Sequence, residues 1–591
     1  MNNQRNLILA VVLTAVLLFG WDAGMRWFYP EANKPKPVAV AKAIGTVPAA
    51  PADAAAPTRE GGLTNPADIA LEAQDLKTVL AAPGRIAIAA PGLAGSINPV
   101  GAVLDDLVTT RHTAGMAKDS GQQRIFSPAG TPAQHFAQFG WTGTGPALPG
   151  LALPSPATVW AAPAGAKLTP ETPVTLSWAN SAGQTFAITF AIDKDYMITV
   201  AQSVSNAGAA PVSVRPVAQI NRTDKTASID SFNVHSGPIG AFDGSVDFDV
   251  NYEDVAEQGT IAPEGKADWI GFTDIYWMSA LVPDKAAVSS DYRGLGNGIF
   301  LANLFYEPTE VAPGKAFTRT TRLFAGAKES TVLDRYEDSG ITNFGLAIDW
   351  GWFRWVEKPI FTLLKALFDL AGNFGVAIIL LTVIVRGVMF PIANKQFASM
   401  AAMKAIQPKM KALQERYKDD KQKQQQEIMA LYKAEGVNPL AGCLPIFLQI
   451  PIFFALYKVL QLAIEMRHQP FVLWIKDMSA PDPAMILNLF GLLPFTPPAF
   501  LGIGVLAVLL GITMWAQFKL NPAQMDPVQQ QVFAIMPWMM MFIMAPFAAG
   551  LLIYWITSNV LTIAQQKYLY SRHAQAEKDG ADAQRAKARK D

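Results

Sequence analysis

The chain has 591 residues, 51% of them hydrophobic and 16% charged, and its 48 Lys and Arg balance its 48 Asp and Glu. That balance gives no global charge for binding nucleic acid, the length allows two or more domains, and the single cysteine excludes an intramolecular disulfide and a cysteine metal cluster. The apolar residues gather at the N-terminus and beyond residue 360, which separates membrane-embedded parts from a water-soluble part.

Residues 1–29 hold the first apolar run, NLILAVVLTAVLLFG. A secretory signal and an uncleaved anchor share this pattern. The anchor is favoured because Asp22, Arg26 and aromatic residues stand where a small-residue cleavage site belongs. Residues 30–64 are rich in Ala, Pro and Lys and lack periodicity, as in a semi-extended tether. Over residues 65–345, short alternating runs such as QTFAITFAIDKDYMITV are separated by Gly, Pro, Asn and Asp, predicting a large all-β sandwich. Its histidines are scattered, and no metalloprotease, hydrolase or nucleotide-binding motif appears there. Scaffolding or docking is the expected role, with sugar or peptide binding the alternative. Residues 346–360 mix Trp350, Trp352, Phe353 and Trp355 with Asp349, Arg354, Glu357 and Lys358. Those charges forbid a span, and the aromatics predict an interfacial helix.

Residues 361–571 contain apolar segments near 368–390, 440–463, 499–518, 529–547 and 549–571. With the first anchor they predict an α-helical polytopic membrane protein of six transmembrane helices. Between Pro391 and Glu435 nine basic residues oppose five acidic ones. The positive-inside rule therefore puts this loop, residues 391–438, in the cytoplasm. The basic tail, residues 572–591, falls on the same side, as does the N-terminus, which leaves the β-sandwich extracytoplasmic. Within the loop, Phe397, Met400, Met403, Ile406, Met410, Leu413 and Tyr417 recur at helical spacing. A polar stretch and a second helical run ending at Gly436 complete a predicted helical hairpin, with Pro408 marking a kink.

Depth along the helices selects candidate functional residues. At about 1.5 Å per residue, Thr382, Gln449 and Asn559 lie near mid-membrane, and Arg386 lies about 7 Å from the cytoplasmic end of its helix. An arginine there either snorkels to the headgroups or occupies a hydrated groove; the residues alone leave both open. No Asp or Glu lies between Leu370 and Pro391 or between Leu440 and Ala463 to pair with it. The fifth apolar segment clusters Met536, Met539, Met540, Met541 and Met544. Methionine suits a surface that accepts varied apolar partners, and equally a lipid face or a core gap.

Four stretches carry a specific resemblance: LTVIVRGVMFPI, MALYKAEGVNPLAGCLPIFLQIPIFFALYKVL, FVLWIKDMSAPDP and IYWITSNVLTIAQQ. In this order and spacing the chain resembles the YidC/Oxa/Alb insertase family, and its Gram-negative branch in the extra first span and large outer β domain. The resemblance implies a non-enzymatic, cofactor-free role in the bacterial inner membrane: inserting newly made membrane proteins and assisting their folding. The implied partners are nascent membrane proteins, the Sec translocon, the ribosome and the lipid bilayer, with no small-molecule substrate and no metal. It also implies that residues 30–360 are periplasmic. The family's groove residues map onto Arg386, Thr382, Gln449, Tyr554 and Trp555; Asn559 is expected in the same groove from its depth, and Met536, Met539, Met540 and Met544 are expected to form an apolar substrate slide. The chain departs from the family at Trp555, where tyrosine is common, and in the Pro-rich insert NLFGLLPFTPPAF. A secondary transporter would instead show internal repeats and intramembrane carboxylates, and neither is evident.

Overall fold

The computed structural model describes residues 58–587 except 118, 144–151, 230–233, 286–287, 352–353, 419, 437–443, 491, 494, 496, 498–501 and 521–526. The expected anchor at 1–29, most of the tether and Cys443 therefore lie outside the described residues.

The β-sandwich is built from a sheet of eleven strands facing one of eight. At the centre of the larger sheet Val212–Thr223 pairs antiparallel with His135–Gly143 and Ile299–Tyr306. At the centre of the smaller sheet Lys315–Ala327 lies between Trp277–Pro283 and Met197–Asn206. The sequence alternation is read out directly: along Gln184–Ile192 every second residue is buried. A strand places alternate side chains on opposite faces, so this pattern commits one face to the core. Aromatic pairs bridge the sheets, with ring centroids 6.4 Å apart for Phe139 and Phe190 and 5.1 Å for Trp141 and Phe186. Buried polar groups also pair across the core: Gln202 Nε2 donates to the Gly140 carbonyl at 2.6 Å, and His135 Nε2 lies 2.8 Å from Ser279 Oγ. Burial holds the His135 imidazole well below its ordinary pKa, so it stays neutral. Gly271 is obligatory, since a Cβ there would come within 1.9 Å of the Ser279 carbonyl oxygen.

The helices are α1 (Pro66–Val79), α2 (Tyr252–Gln258) and α3 (Ser330–Asp338) in the outer part. Beyond it follow α4 (Arg354–Ala371), α5 (Phe374–Arg416), α6 (Lys421–Ala434), α7 (Leu444–Leu462), α8 (Val505–Leu520), α9 (Pro527–Met544) and α10 (Ala549–Lys587). The helix expected over 346–360 is displaced: it starts at Arg354 and runs to Ala371. The reason is packing. Trp350 is buried rather than interfacial, meeting Phe361 at 5.6 Å, and Phe344, just before this stretch, meets Trp269 and Phe324 edge-on. α4 is amphipathic, burying Phe361 and Leu364 while Trp355 is 73% exposed. Gly372, at φ 66°, ends it, and Asn373 caps α5 by accepting from the Val376 amide at 3.1 Å.

α5 is one helix of 43 residues. The loop after the first core segment is thus no separate element, because its first arm continues the apolar helix through Pro391 and Pro408. α6 folds back on it, with Lys409 Nζ 2.6 Å from Glu435 Oε1 and Gln424 Nε2 donating to the Gln414 carbonyl at 2.7 Å. Among the described residues one helical segment, Phe374–Gln396, is long and apolar enough to cross a membrane by itself; Leu448–Leu462, Val505–Leu520 and Ala534–Met544 are shorter apolar segments.

The two parts meet in a polar junction formed by residues distant in sequence. Arg59 donates to the Leu460 carbonyl at 3.0 Å, to the Gln461 carbonyl at 2.9 Å and to the Ser479 carbonyl, capping the C-terminal end of α7. Next to it, Arg467 Nε and Nη2 donate to Glu60 Oε2 at 3.0 and 2.6 Å, and Nη1 donates to the Thr113 carbonyl at 2.8 Å. The Arg467 guanidinium also lies 5.3 Å from the Trp277 ring. Further along, Glu465 Oε1 accepts from the Ser330 amide at 3.1 Å, and Lys458 Nζ reaches Asp349 at 3.2 Å. The sandwich is therefore fixed to the helical part through charged contacts.

Candidate functional site

The helices α5, α7, α8 and α10 bring the polar candidates together. Arg386, on α5, donates from Nε to Ser558 Oγ on α10 at 3.0 Å, and its Nη2 donates to the same oxygen. No carboxylate lies within ion-pair distance of Arg386 among the described residues. A serine hydroxyl orients a guanidinium but leaves its charge uncompensated. Gln449, on α7, donates through Nε2 to the Tyr554 hydroxyl on α10. Asn559 Nδ2 donates to Thr513 Oγ1 on α8 at 3.2 Å. Tyr554 and Ser558 stand one helical turn apart and both are buried, so α10 presents one polar face toward α5 and α7.

Thr382 lies one turn from Arg386 but is fully buried, and its hydroxyl donates to the Ile378 carbonyl of its own helix at 2.6 Å. That back-bond satisfies the hydroxyl within its own helix. Trp555 is half-buried, its ring meeting Phe453 edge-on at 5.3 Å. It contributes aromatic surface beside Tyr554.

The methionines of α9 divide between two faces. Met539 is exposed beside Ile535, Trp538, Phe542 and Ile543, Met536 is half-exposed, Met540 packs against the core, and Met544 is buried. The exposed face is thus mostly branched and aromatic, with methionine at its margin.

Two site residues escaped the sequence reading. Ser558 falls inside a quoted motif and stands four residues after Tyr554, so its helical face was available as a signal; Thr513 carried none. In the junction, ligand-type atoms of Glu60, His468 and Asp477 lie within 4.8 Å of one another. Both Glu60 oxygens are engaged by Arg467 and His468, and Asp477 Oδ1 accepts from Ser479. A cation bound there would face the Arg467 guanidinium, so the cluster fits an ion-pair junction rather than a metal centre.

Two family models cover most of the chain: a 60Kd inner membrane protein model over residues 366–577 and a YidC periplasmic domain model over residues 85–363. Those descriptions put the family at an inner membrane with the β domain on the periplasmic side. A membrane protein insertase YidC of Zymomonas mobilis is 44% identical over 602 residues, covering 100% of this chain and 99% of the relative. One from Rhizobium etli is 40% identical, covering 97% and 96%. An active YidC insertase crystallised with its first transmembrane domain resolved is 18% identical, with a TM-score of 0.35 over 84% of this chain and 97% of that one. Full-length identity and both domain matches agree: the chain belongs to the YidC membrane protein insertase family.

Proposed function

We propose that the chain inserts newly made membrane proteins through a hydrated groove between α5, α7, α8 and α10, open to the cytoplasm and to lipid, with Arg386 as its cation. One observation carries this reading: Arg386 is held by a neutral hydroxyl, Ser558, and its charge is free to attract an anion. An arginine at mid-helix costs about 2.5–3.5 kcal/mol on insertion scales, a cost that water in a groove largely removes. The short outer segment of a substrate, frequently acidic, enters the groove and is held transiently by Arg386. Gln449, Tyr554 and Asn559 line the polar path. The apolar segment of the substrate slides along the exposed faces of α7 and α9, where Leu448, Ile450, Phe454, Trp538, Met539 and Phe542 offer apolar surface.

In this arrangement the first anchor and five core helices make six spans, with both termini and the α5–α6 hairpin in the cytoplasm. The basic hairpin and tail receive the ribosome or nascent chain, and larger clients are shared with the Sec translocon. Insertion needs no covalent step. The test compares wild type with Arg386→Ala and Arg386→Lys in proteoliposomes, using single-span substrates whose outer segments differ only in charge. The expected result is a larger loss for acidic than for neutral segments with Arg386→Ala, and partial recovery with Arg386→Lys. Equal loss for both substrates overturns the attraction step.

A further inference from the structure

Four glutamates stand at or beside the junction between sandwich and helices, and they are of two kinds. Glu60 and Glu329 are ion-paired: Arg467 and His468 hold the first, while Arg111, His112 and the Tyr196 hydroxyl hold the second. Glu465 and Glu357 have no Lys, Arg or His within ion-pair distance among the described residues. Neither has a part in the groove.

Glu465 follows the end of α7 and reaches across to the sandwich. Its Oε1 accepts from the amide of Ser330, the first residue of α3, at 3.1 Å. The N-cap residue of that helix, Glu329, makes no side-chain capping bond, so a carboxyl of the helical part caps a helix of the sandwich. The other oxygen, Oε2, is buried with no hydrogen-bond partner among the described residues. The charged groups that face Glu465 are Lys365 of α4 and Glu329, of opposite sign. Glu357, in the first turn of α4, is 2% exposed, and its Oε2 is likewise buried without a partner among the described residues. The charged groups that face it are Lys458 of α7 and Asp349 of the segment leaving the sandwich. Lys458 is paired with Asp349 at 3.2 Å, so its charge is answered there.

An ionised carboxylate needs donors on both oxygens, and each of these groups has one oxygen sealed from water with no donor in reach. Burying the neutral acid costs far less than burying the ion. The closed junction therefore selects the protonated form of both. Burial pushes the Glu465 carboxyl up to about 7 against the weaker pull of the Ser330 amide and Lys365, and it pushes Glu357 up to about 7 against the weaker pull of Lys458. When the junction opens, water reaches both groups and they ionise in the ordinary carboxylate range. Closing the junction thus takes up protons, and opening it releases them.

We propose that the junction is a proton-linked latch: the sandwich docks on the helices with Glu465 and Glu357 in their neutral form and is loosened when rising pH ionises them. Between the ordinary carboxylate value of 4.5 and about 7, the ratio of undocked to docked protein rises by up to tenfold per pH unit for each group, and it levels off above. The test uses the full-length protein in proteoliposomes, with Cys443→Ser and a fluorophore pair at Val159→Cys on the sandwich and Leu473→Cys on the helical part, both exposed positions. Arg467→Ala in this background brings the undocked state into range. The expected result is energy transfer that falls from about pH 5 to 7 and then levels, a shallower fall with Glu465→Gln or Glu357→Gln, and a flat response with both. Infrared spectra of the unsubstituted protein at about pH 6 supply a second measurement, a protonated-carboxyl band that each Gln variant diminishes. Constant energy transfer across the range overturns the proposal. A fall that persists in the double Gln variant also overturns it and assigns the effect to His468, which pairs with Glu60 across the junction. Absence of the infrared band overturns it as well, whether or not the Gln variants fold.

Discussion

Replacing Arg467 by Ala removes the centre of the junction between sandwich and helices. Its side chain is 3% exposed, that of Glu60 36%. The change deletes two charge-assisted hydrogen bonds to Glu60 and a further donor to the Thr113 carbonyl. Breaking a fully buried ion pair costs about 3–5 kcal/mol; partial rehydration of Glu60 brings the expected cost to the lower end, about 3 kcal/mol. At about 1.4 kcal/mol per decade that is roughly a 150-fold shift toward an undocked sandwich. Burial pushes the Glu60 carboxyl up, but His468 and Arg467 outweigh it and hold it below its ordinary pKa. Its contribution is therefore present above the unfolded carboxylate pKa and lost as pH falls through the lowered folded value. Hydrogen exchange on the full-length protein reads the effect: amides of 58–64 and 464–480 exchange faster, while Val212–Thr223 stays protected. Glu60→Gln added to Arg467→Ala costs less than it does alone, since only the contact of Glu60 with His468 then remains to be weakened. Unchanged exchange in the junction, or uniform loss of protection through the sandwich, refutes the reasoning.

Other outcomes follow from single contacts. Ser558→Ala leaves the Arg386 guanidinium without its hydroxyl partner, a loss of about 1.5–3 kcal/mol for a hydrogen bond to a charged group; the insertion assay detects it as a weakened preference for acidic outer segments, with the fold intact by circular dichroism. Burial pushes the Glu465 carboxyl up to about 7 against the weaker pull of the Ser330 amide and Lys365, and its Oε2 has no partner among the described residues. Stability from this group is greatest below the unfolded carboxylate pKa and falls as pH rises toward 7. Glu465→Gln accordingly flattens the pH dependence of thermal unfolding between about pH 5 and 8 and stabilises at pH 8 by about 3 kcal/mol. Gly550→Ala places a methyl 2.8 Å from Leu460 Cδ2 and 3.1 Å from the Met478 carbonyl oxygen, and overpacking of this kind lowers stability by about 1–3 kcal/mol, read as a drop in Tm.

The sandwich was legible because strand alternation is a local signal, and Gln184–Ile192 shows it intact. Arg386 was legible as a cation inside an apolar run, an anomaly that needs no partner to be noticed. Its partner was not, because a serine on a helix is ordinary until the fold brings it across from another helix 172 positions away. Thr382 is expected in the groove from its depth and from the family resemblance, and neither tells that its hydroxyl donates to the Ile378 carbonyl of its own helix. The shifted start of α4 has a similar origin. Aromatics near charges suit a headgroup layer and a sandwich core equally, and only tertiary packing assigned Trp350 to the core. The junction left no sequence signal, since Glu60 and Arg467 stand 407 positions apart in loops without periodicity.

The continuity of α5 has a mechanical meaning. Arg386 and Arg416 belong to one helix, about 45 Å apart along its axis. A force applied where the chain turns after Arg416 passes along one helix to Arg386 rather than into a loop. The helix is not uniformly stiff: Pro391 and Pro408 each lack the amide that would complete the ladder, so bending concentrates at two points. Pro391 lies between hairpin and groove, five residues from Arg386. A bend at Pro391 changes the angle between the turn that carries Arg386 and the arm that α6 packs against.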